Sequence, residues 1–246
     1  MKPAARTAHN ELIDELNAMW RDSSSFYSPD DVRILVLHKK ADDTKRNAAI
    51  DGWALTGIIH ALTGDREQSE YAFRNSLRIG GNNEFVIGNW LAARGGLGAF
   101  SSAQELFEEW GDPHIGILST LLREGLNCGA VFQAAQFMET AVEKLHMDVD
   151  AGLRQHAAAL CAAFREQGVT DRTLGAHLDA AGDVLYRNRL ATRRVSTLTD
   201  FDSGTVLYQV SVGSGNDIFA LNLELAKEQI KRSLKPTPNL DVVITE

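Results

Sequence analysis

The chain has few of the residues that build a covalent or membrane-bound framework. Its 246 residues include only two cysteines, Cys128 and Cys161, which lie in apolar helical patterns far apart in the sequence. This spacing indicates neither a disulfide framework nor a metal site, so we expect two buried free thiols. No run of about 18 apolar residues is present to span a bilayer, and no apolar signal segment follows Met1. These absences favour a cytoplasmic protein that does not contact a membrane.

Positive charge is in deficit as well. The formal net charge is -8, and the excess of acids falls within residues 1–186, because residues 187–246 are close to neutral. A chain this acidic repels nucleic acid and anionic membranes, which disfavours both as partners. With 44% hydrophobic residues, the chain can nevertheless bury a substantial core.

Signals for catalysis and for metal binding are scarce. No serine or cysteine lies in a nucleophile elbow such as Gly-x-Ser-x-Gly, so the sequence does not indicate a catalytic nucleophile. The closest approach to a metal-ligand set is His146, Asp148, Asp150 and His156. Its spacing is more typical of a helix end followed by an acidic N-cap. We therefore expect no catalytic residue, no cofactor and no metal.

Helical periodicity dominates the first three quarters of the chain. Apolar residues recur every three or four positions, as on the buried face of an amphipathic helix. The second helix is expected to begin at Pro29 with Ser28 as its N-cap and to run to about Lys40. The other helices are predicted near residues 9–21, 47–62, 67–79, 84–95, 101–110, 114–126, 130–145, 151–167 and 171–189.

Within these helices a glycine, a small residue and a large apolar residue recur together. The three sets are Gly64, Ser69 and Phe73; Gly98, Ala103 and Phe107; and Gly129, Ala134 and Met138. The second set follows the first by 34 residues, and the third follows the second by 31. A helical hairpin accounts for this pattern, because glycine ends the first helix in a left-handed conformation and the small residue lets the second helix approach closely.

The pattern resembles the tetratricopeptide repeat, a helical hairpin of about 34 residues. The family favours Trp, Gly, Tyr, a Gly-Asp turn, Ala, Phe and Ala at set positions of the repeat. In the best copy these positions hold, in the same order, Trp53, Gly57, His60, Gly64 with Asp65, Ser69, Phe73 and Ser76. The copy departs from the family at Thr56, where a Leu is usual, and at Gly81, where a Pro is usual. The resemblance covers residues 47–145 and extends loosely to a fourth copy around Gly168. It implies an α-solenoid over residues 1–190.

The resemblance also implies a concave groove lined by the first helix of each hairpin, where a peptide partner would lie. The groove positions would be Ala54, Ile58, Ala61, Gly88, Asn89, Ala92, Gly95, Ser119, Arg123 and Asn127. Among them, Ile58, Asn89, Arg123 and Asn127 are the candidate partner-binding residues. The small and apolar character of the groove suits a helix or an extended apolar segment, or a groove that the chain itself fills.

The character of the sequence changes near residue 191. Residues 195–198 and 205–212 are rich in β-branched residues and flank a turn at 200–204, which predicts a hairpin. A helix at 217–234 and a strand at 241–245 follow, so residues 191–246 read as a small ββαβ module with a three-stranded sheet. The predicted fold class is mostly α, a solenoid followed by this α/β module. The helix carries more apolar residues than one small sheet can cover, so we expect the module to dock on the helices or on a second copy of the chain.

Two features of this region allow a role in phosphate binding. Arg187, Arg189, Arg193 and Arg194 form a basic linker that could contact phosphates or an acidic partner, or could pair with the acidic helices. Residues 213–217 could present backbone amides to a phosphate. They contain only two glycines, which favours a tight turn capped by Asn216 or Asp217.

Three functional hypotheses follow. The favoured one is a scaffold for protein or peptide partners, such as an adaptor, a chaperone-like holder or a regulatory subunit, with homodimerisation as an option. The second is a small-molecule or phosphate site in the C-terminal module. The third is a nucleic-acid-linked regulator that uses the basic linker, although the net charge of -8 opposes it.

Overall fold

The structure is a computed structural model that describes residues 3–81, 83–110, 118–200 and 205–246. These residues are mostly helical, with a small three-stranded sheet near the C-terminus, as the sequence predicts. The helices are α1 (Pro3–Asp22), α2 (Val32–Asn47), α3 (Ala49–Leu62), α4 (Arg66–Gly80), α5 (Glu84–Gly96), α6 (Phe100–Trp110), α7 (Leu118–Asn127), α8 (Val131–Glu139), α9 (Ala151–Gln167), α10 (Asp171–Arg187) and α11 (Ile218–Lys231). The strands are β1 (Arg194–Asp200), β2 (Thr205–Ser211) and β3 (Leu240–Thr245).

Local side chains begin many of these helices. The N-cap residues whose side chains accept a backbone hydrogen bond are Asp31, Asp65, Asn83, Asp150, Thr170 and Asp217. Each one satisfies an amide that would otherwise lack a partner in the first helical turn. These starts depend on short-range chemistry, which explains why the sequence predicts most helices within a few residues.

The second helix differs from its prediction at both ends. Ser28 begins a turn that is closed by a hydrogen bond from the Asp31 amide to the Ser28 carbonyl, at 3.0 Å. Asp31 is therefore the N-cap, and its carboxylate accepts from the Arg33 amide at 2.8 Å. The helix also continues beyond Lys40 to Asn47. Burial of Ile34, Leu37 and Ala41 against α1 and α3 carries it through this polar stretch.

Several other boundaries also differ. The helix predicted at 130–145 ends at Glu139 and continues as a π-helical turn, Thr140–Lys144. The predicted strand 195–198 is longer, Arg194–Asp200, and the predicted helix 217–234 ends at Lys231. The first residues of the helix predicted at 114–126 and most of the turn predicted at 200–204 lie outside the described residues.

The first hairpin, α3 with α4, has the packing that its sequence pattern predicts. Gly64 adopts a φ of 77° between the two helices, a conformation that side chains other than glycine disfavour. The hydroxyl of the buried Ser69 donates to the carbonyl of Gly57 at 2.9 Å. Gly57 in turn leaves the space that the ring of Phe73 fills. Small residues therefore allow the close approach of these helices.

The second and third hairpins repeat these features. Gly98 and Gly129 also have positive φ, at 69° and 82°. Ala103 and Ala134, the predicted small residues, are buried. Phe107 lies against Gly125 of the following helix. The glycines of all three hairpins therefore play the predicted part.

Arg94 connects the first hairpin to the second. Its buried guanidinium forms two hydrogen bonds with the carboxylate of Glu70 on α4, at 2.6 and 2.7 Å. The same group donates to the carbonyl of Ser102 on α6 and lies over the ring of Trp90. Because this arginine pairs with a carboxylate in bidentate geometry, it fixes α4, α5 and α6 relative to one another.

The fourth hairpin that the sequence suggests does not form. Gly168 ends α9 in the left-handed conformation, as expected. Helix α10 then packs mainly on α6 and α11 instead of returning along α9. Its Asp179 accepts hydrogen bonds from the amides of Phe100 and Ser101 at the start of α6. Helix α10 therefore crosses the ends of the earlier hairpins.

The sheet has the order β1-β2-β3, with β1 antiparallel and β3 parallel to β2. Helix α11 makes the crossover between β2 and β3. Alternate residues of β2, Val206, Tyr208 and Val210, are buried, so one face of the sheet is apolar as predicted.

The C-terminal module is docked on the helices. Tyr208 stacks on Phe164 of α9, with ring centroids 6.4 Å apart. The sheet shares an apolar core with helices α3 to α10, whereas α1 and α2 form a second apolar cluster with part of α3. Helix α11 packs along α10. Docking within the chain is therefore confirmed, whereas the division into two domains stays a prediction. Among the described helices, none has the length and apolar character needed to cross a bilayer.

Candidate functional site

The first part of the predicted groove is filled by the chain itself. Leu16 and Trp20 of α1 lie beside Ile58 and Asn89, and the space left among them is only about 100 Å³. The ring of Trp20 also lies in close contact with Gly96 on α5, where it occupies the space that a Cβ would need. The side-chain amide of Asn89 donates to the carbonyl of Phe85 at 2.7 Å, within its own helix. Helix α1 therefore covers two of the four candidate partner-binding residues.

The other two candidates line an open cleft with a residue of the basic linker. Arg123 and Asn127 of α7 face His156 of α9 and Arg194 of β1 across a cavity of about 370 Å³. We call this cavity the β1 cleft. A second cavity of about 200 Å³ adjoins it, because Asn127 and Arg194 line both. The sequence did not predict that these residues meet, since they come from three separate elements.

The remaining arginines of the basic linker have partners within the chain. Arg187 donates to Glu228 at 2.8 Å, and Arg193 donates to the carbonyl of Ser23 at 2.9 Å. Arg189 reaches the carbonyl of Tyr27 at 3.4 Å. These contacts are structural, but they differ from the expected pairing with the acidic helices, because the one carboxylate partner belongs to α11 and the other two partners are backbone carbonyls. A role in phosphate contact stays a prediction, and Arg194, which is exposed, is the member best placed for it.

The histidines and acids that came closest to a metal-ligand set have separate roles. Asp150 caps α9, accepting from the amide of Leu153 at 2.8 Å, as the sequence indicated. His156 lies instead in the β1 cleft, where its Nε2 is 2.8 Å from the Thr197 hydroxyl. Burial lowers the pKa of His156, which favours the neutral form of its ring. Within the described residues, no group of three or more His, Cys, Asp or Glu residues could hold a metal ion.

The glycine turn before α11 is a capped turn. The side-chain amide of Asn216 donates to the carbonyl of Gly213 at 2.6 Å. The carboxylate of Asp217 accepts from the Ala220 amide at 3.0 Å. Asp217 therefore already satisfies an amide at the start of this helix. Its negative charge also disfavours the binding of an anion there.

The two cysteines are free and buried, as predicted. Burial raises the pKa of the Cys128 thiol to about 12, and it also raises the pKa of Cys161. Because the thiolate is the reactive form, both side chains behave as small apolar groups of the core.

Helix α11 leaves an apolar face in solvent. Leu221 and Leu225 are buried, but Phe219 is 80% exposed and Ile230 is 77% exposed. Leu223, at 48% exposed, lies between them on the side opposite the core. The sequence indicated a stripe too wide for the sheet alone, but it did not show which part stays uncovered.

An opening of about 490 Å³ lies between α9 and the segment formed by α8 and the π-helical turn. Met138 and Val142 line one side, and Ala151 and Ala158 line the other. The sequence did not predict this opening, because the π-helical turn that shapes it has no clear sequence signal.

No family model, curated protein or solved structure matches this chain. The chemistry of the surfaces described above is therefore the basis for its proposed function.

Proposed function

We propose that this chain is a protein-interaction scaffold whose docking surface is the outer stripe of α11. The stripe consists of Phe219, Leu223, Ala226 and Ile230, all exposed on the side of the helix opposite the core. The observation that carries the proposal is the exposure of Phe219 and Ile230, since large apolar side chains on one helix face mark interaction sites when they lie together.

The spacing of the stripe indicates that another helix is the ligand. Its members are separated by four, three and four residues, the spacing of the apolar seam in a coiled coil. A helix with this seam buries it by placing side chains between those of a facing helix. The surface therefore suits a helical partner better than an extended peptide.

A second copy of the chain is the partner that the stripe fits best. The order of spacings reads the same in both directions, so two α11 helices can pair antiparallel about a two-fold axis. Phe219 then lies opposite Ile230 of the second copy, and Leu223 lies opposite Ala226. Such a contact is self-complementary, as a two-fold interface must be.

The proposal includes a tetratricopeptide-like solenoid for the helical part. Three glycines with positive φ and the buried small residues after them support it. Helix α1 covers Ile58 and Asn89, so docking is assigned to α11 and not to that part of the groove. A cytoplasmic location fits the two free thiols, and the proposal assigns no catalytic role.

Light scattering coupled to size exclusion tests the proposal. We expect the full chain to form dimers, and Phe219→Glu or Ile230→Glu to give monomers, because each charge would be buried in the helix pair. Both positions are exposed in the single chain, so the melting temperature of the monomer should change little. Leu35→Glu is the matched control, since Leu35 is 54% exposed on α2 and should leave the dimer intact.

The antiparallel arrangement has its own test. When Phe219→Cys and Ile230→Cys chains are mixed and oxidised, we expect the mixed disulfide to exceed either disulfide between identical chains. The natural cysteines are buried and should not interfere. A chain that stays monomeric at high concentration, or dimers that both glutamate variants leave unchanged, would contradict the proposal.

A further inference from the structure

The β1 cleft is an open site that three elements build around two arginines. Arg123 lies on α7, His156 on α9 and Arg194 on β1, and the volume between them is about 370 Å³. This volume is within the range of small-molecule sites. Arg194 and Thr197 belong to a strand paired along its length with β2, so their backbone positions are well defined.

The charge of the cleft is opposite to that of the whole chain. Arg123 and Arg194 line it, and the described residues of the lining include no Asp or Glu. Within the described residues, neither arginine forms an ion pair, in contrast to Arg94 and Arg187, which bind carboxylates. In a chain of net charge -8, two such guanidinium groups in one cavity provide a local attraction for anions.

Glu124, which follows Arg123 in the sequence, does not line the β1 cleft. It lines the neighbouring cavity instead. Burial has the largest effect on its carboxyl and raises the pKa, while the charge of Arg123 and a hydrogen bond with Asn127 act in the opposite direction. The lining of the cleft also contains the uncharged side chains of Thr197 and Asn127. Thr197 is hydrogen-bonded to His156, and Asn127 is half-buried and lines the adjoining cavity together with Arg194.

We propose that the β1 cleft binds a phosphate-bearing small molecule, with Arg123 and Arg194 contacting the phosphate. A phosphate monoester carries about -1.5 to -2 charge near neutral pH, which matches two guanidinium groups. Arginine forks bind phosphate oxygens with two parallel hydrogen bonds. Leu126, Leu153 and Val195 also line the cleft and provide an apolar surface for the organic part of the ligand.

This site is independent of the α11 stripe, since α11 contributes no residue to the cleft. Calorimetric titration of the full chain with phenyl phosphate, inorganic phosphate and benzoate tests it. We expect phenyl phosphate to bind more tightly than the other two probes, because it alone offers both a phosphate and an apolar ring.

Three variants locate the binding. Arg123→Gln and Arg194→Gln should each weaken phenyl phosphate binding by about tenfold or more, the scale of a lost charge-assisted hydrogen bond. Arg172→Gln removes another exposed arginine, on α10 and outside the cleft, and should leave the affinity unchanged.

Absence of phenyl phosphate binding, or binding that both cleft variants leave intact, would overturn the proposal. Equal binding of benzoate would contradict the choice of phosphate. Inorganic phosphate bound as tightly as phenyl phosphate would contradict a role for the apolar lining. If the two cleft variants still form dimers, the loss of phenyl phosphate binding does not depend on the α11 contact. The cleft proposal and the dimer proposal can then fail independently of each other.

Discussion

At the scale of single residues, charged side chains hold α11 on the rest of the molecule. Glu228 is buried and accepts from Arg187 of α10 at 2.8 Å and from Arg232 at 2.9 Å. Arg232 also pairs with Asp183 of α10. A carboxylate with two arginine partners stays ionised when buried, because its charge is compensated by hydrogen bonds as well as by opposite charge.

The stability of this contact should depend on pH. Hydrogen bonds from Arg232 and Arg187 lower the pKa of Glu228 to about 2. A folded-state pKa below the unfolded value adds stability above the unfolded pKa, and that stability is lost as pH falls through the folded pKa. We expect Glu228→Gln to reduce the free energy of unfolding by about 2 kcal/mol at pH 7, and the difference from wild type to shrink between about pH 4.5 and pH 2.

Urea unfolding at a series of pH values measures this difference. Glu224→Gln is a suitable control, since Glu224 lies one turn earlier on α11 and accepts from Asn188 at an exposed site. It should cost less than about 1 kcal/mol. A Glu228→Gln deficit that is the same at pH 6 and pH 3 would show that the ionised carboxylate is not the source of the stability.

At the scale of elements, the crossing of α10 over the second hairpin depends on two glycines. Gly182 of α10 meets the backbone of Gly98 so closely that a Cβ on either residue would overlap the other. Gly98 also needs its positive φ to end the first helix of the hairpin. The sequence signalled the second role of Gly98 but not the first, because its contact with Gly182 is long-range.

Gly182→Ala should therefore destabilise the protein although alanine favours helices. We expect a loss of about 1–3 kcal/mol, the usual cost of overpacking a tight contact. Gly95→Ala is the matched control, because Gly95 lies in α5 with no atom near its missing Cβ. That change should be neutral or stabilise by up to about 1 kcal/mol. Thermal and chemical unfolding of the two variants compare them directly, and an equally stable Gly182→Ala would mean that α10 can move away.

At the scale of the whole molecule, the sheet completes the core of the helices. Val206, Tyr208 and Val210 face inward, and Tyr208 reaches Phe164 of α9. We expect a fragment of residues 1–191 to melt at a lower temperature than the full chain and to aggregate, because it exposes the apolar surface that the sheet covers. Calorimetry and light scattering provide the measurement.

The full-length variant Tyr208→Ala serves as a control for this truncation, because it removes the same core contact while keeping the segment. It should lower stability by about 3–5 kcal/mol, as for other large aromatic residues in a core. If the fragment melted like the full chain and stayed monodisperse, the sheet would not be part of the cooperative unit.

Much of the fold could be predicted because its causes are local. Asp150 and Asp217 cap helices, Gly64 and Gly98 end them, and alternating residues define β2, all through interactions between near neighbours in sequence. The length of α2 could not be predicted, since packing of Ile34, Leu37 and Ala41 overrides a polar sequence.

The candidate sites show the same division. The sequence singled out Arg123, Asn127 and Arg194 for their charge and polarity, but it assigned them to a groove and a linker. Only the folded chain places Arg194 across a cleft from Arg123, because β1 docks beside α7. Likewise, the sequence indicated surplus apolar residues on α11, and packing decided that Phe219 and Ile230 stay exposed.

The sequence by itself thus determined most of the helices, the three glycine-ended hairpins, the succession of strands and helix in the C-terminal module, and the free cysteines. The tertiary structure alone decided that α1 fills the groove at Ile58, that α10 crosses the hairpins, and that Arg123 and Arg194 share a cleft. The physical reason is range. Caps, turns and periodicity act between residues a few positions apart, whereas burial and charge pairing depend on which distant surfaces meet.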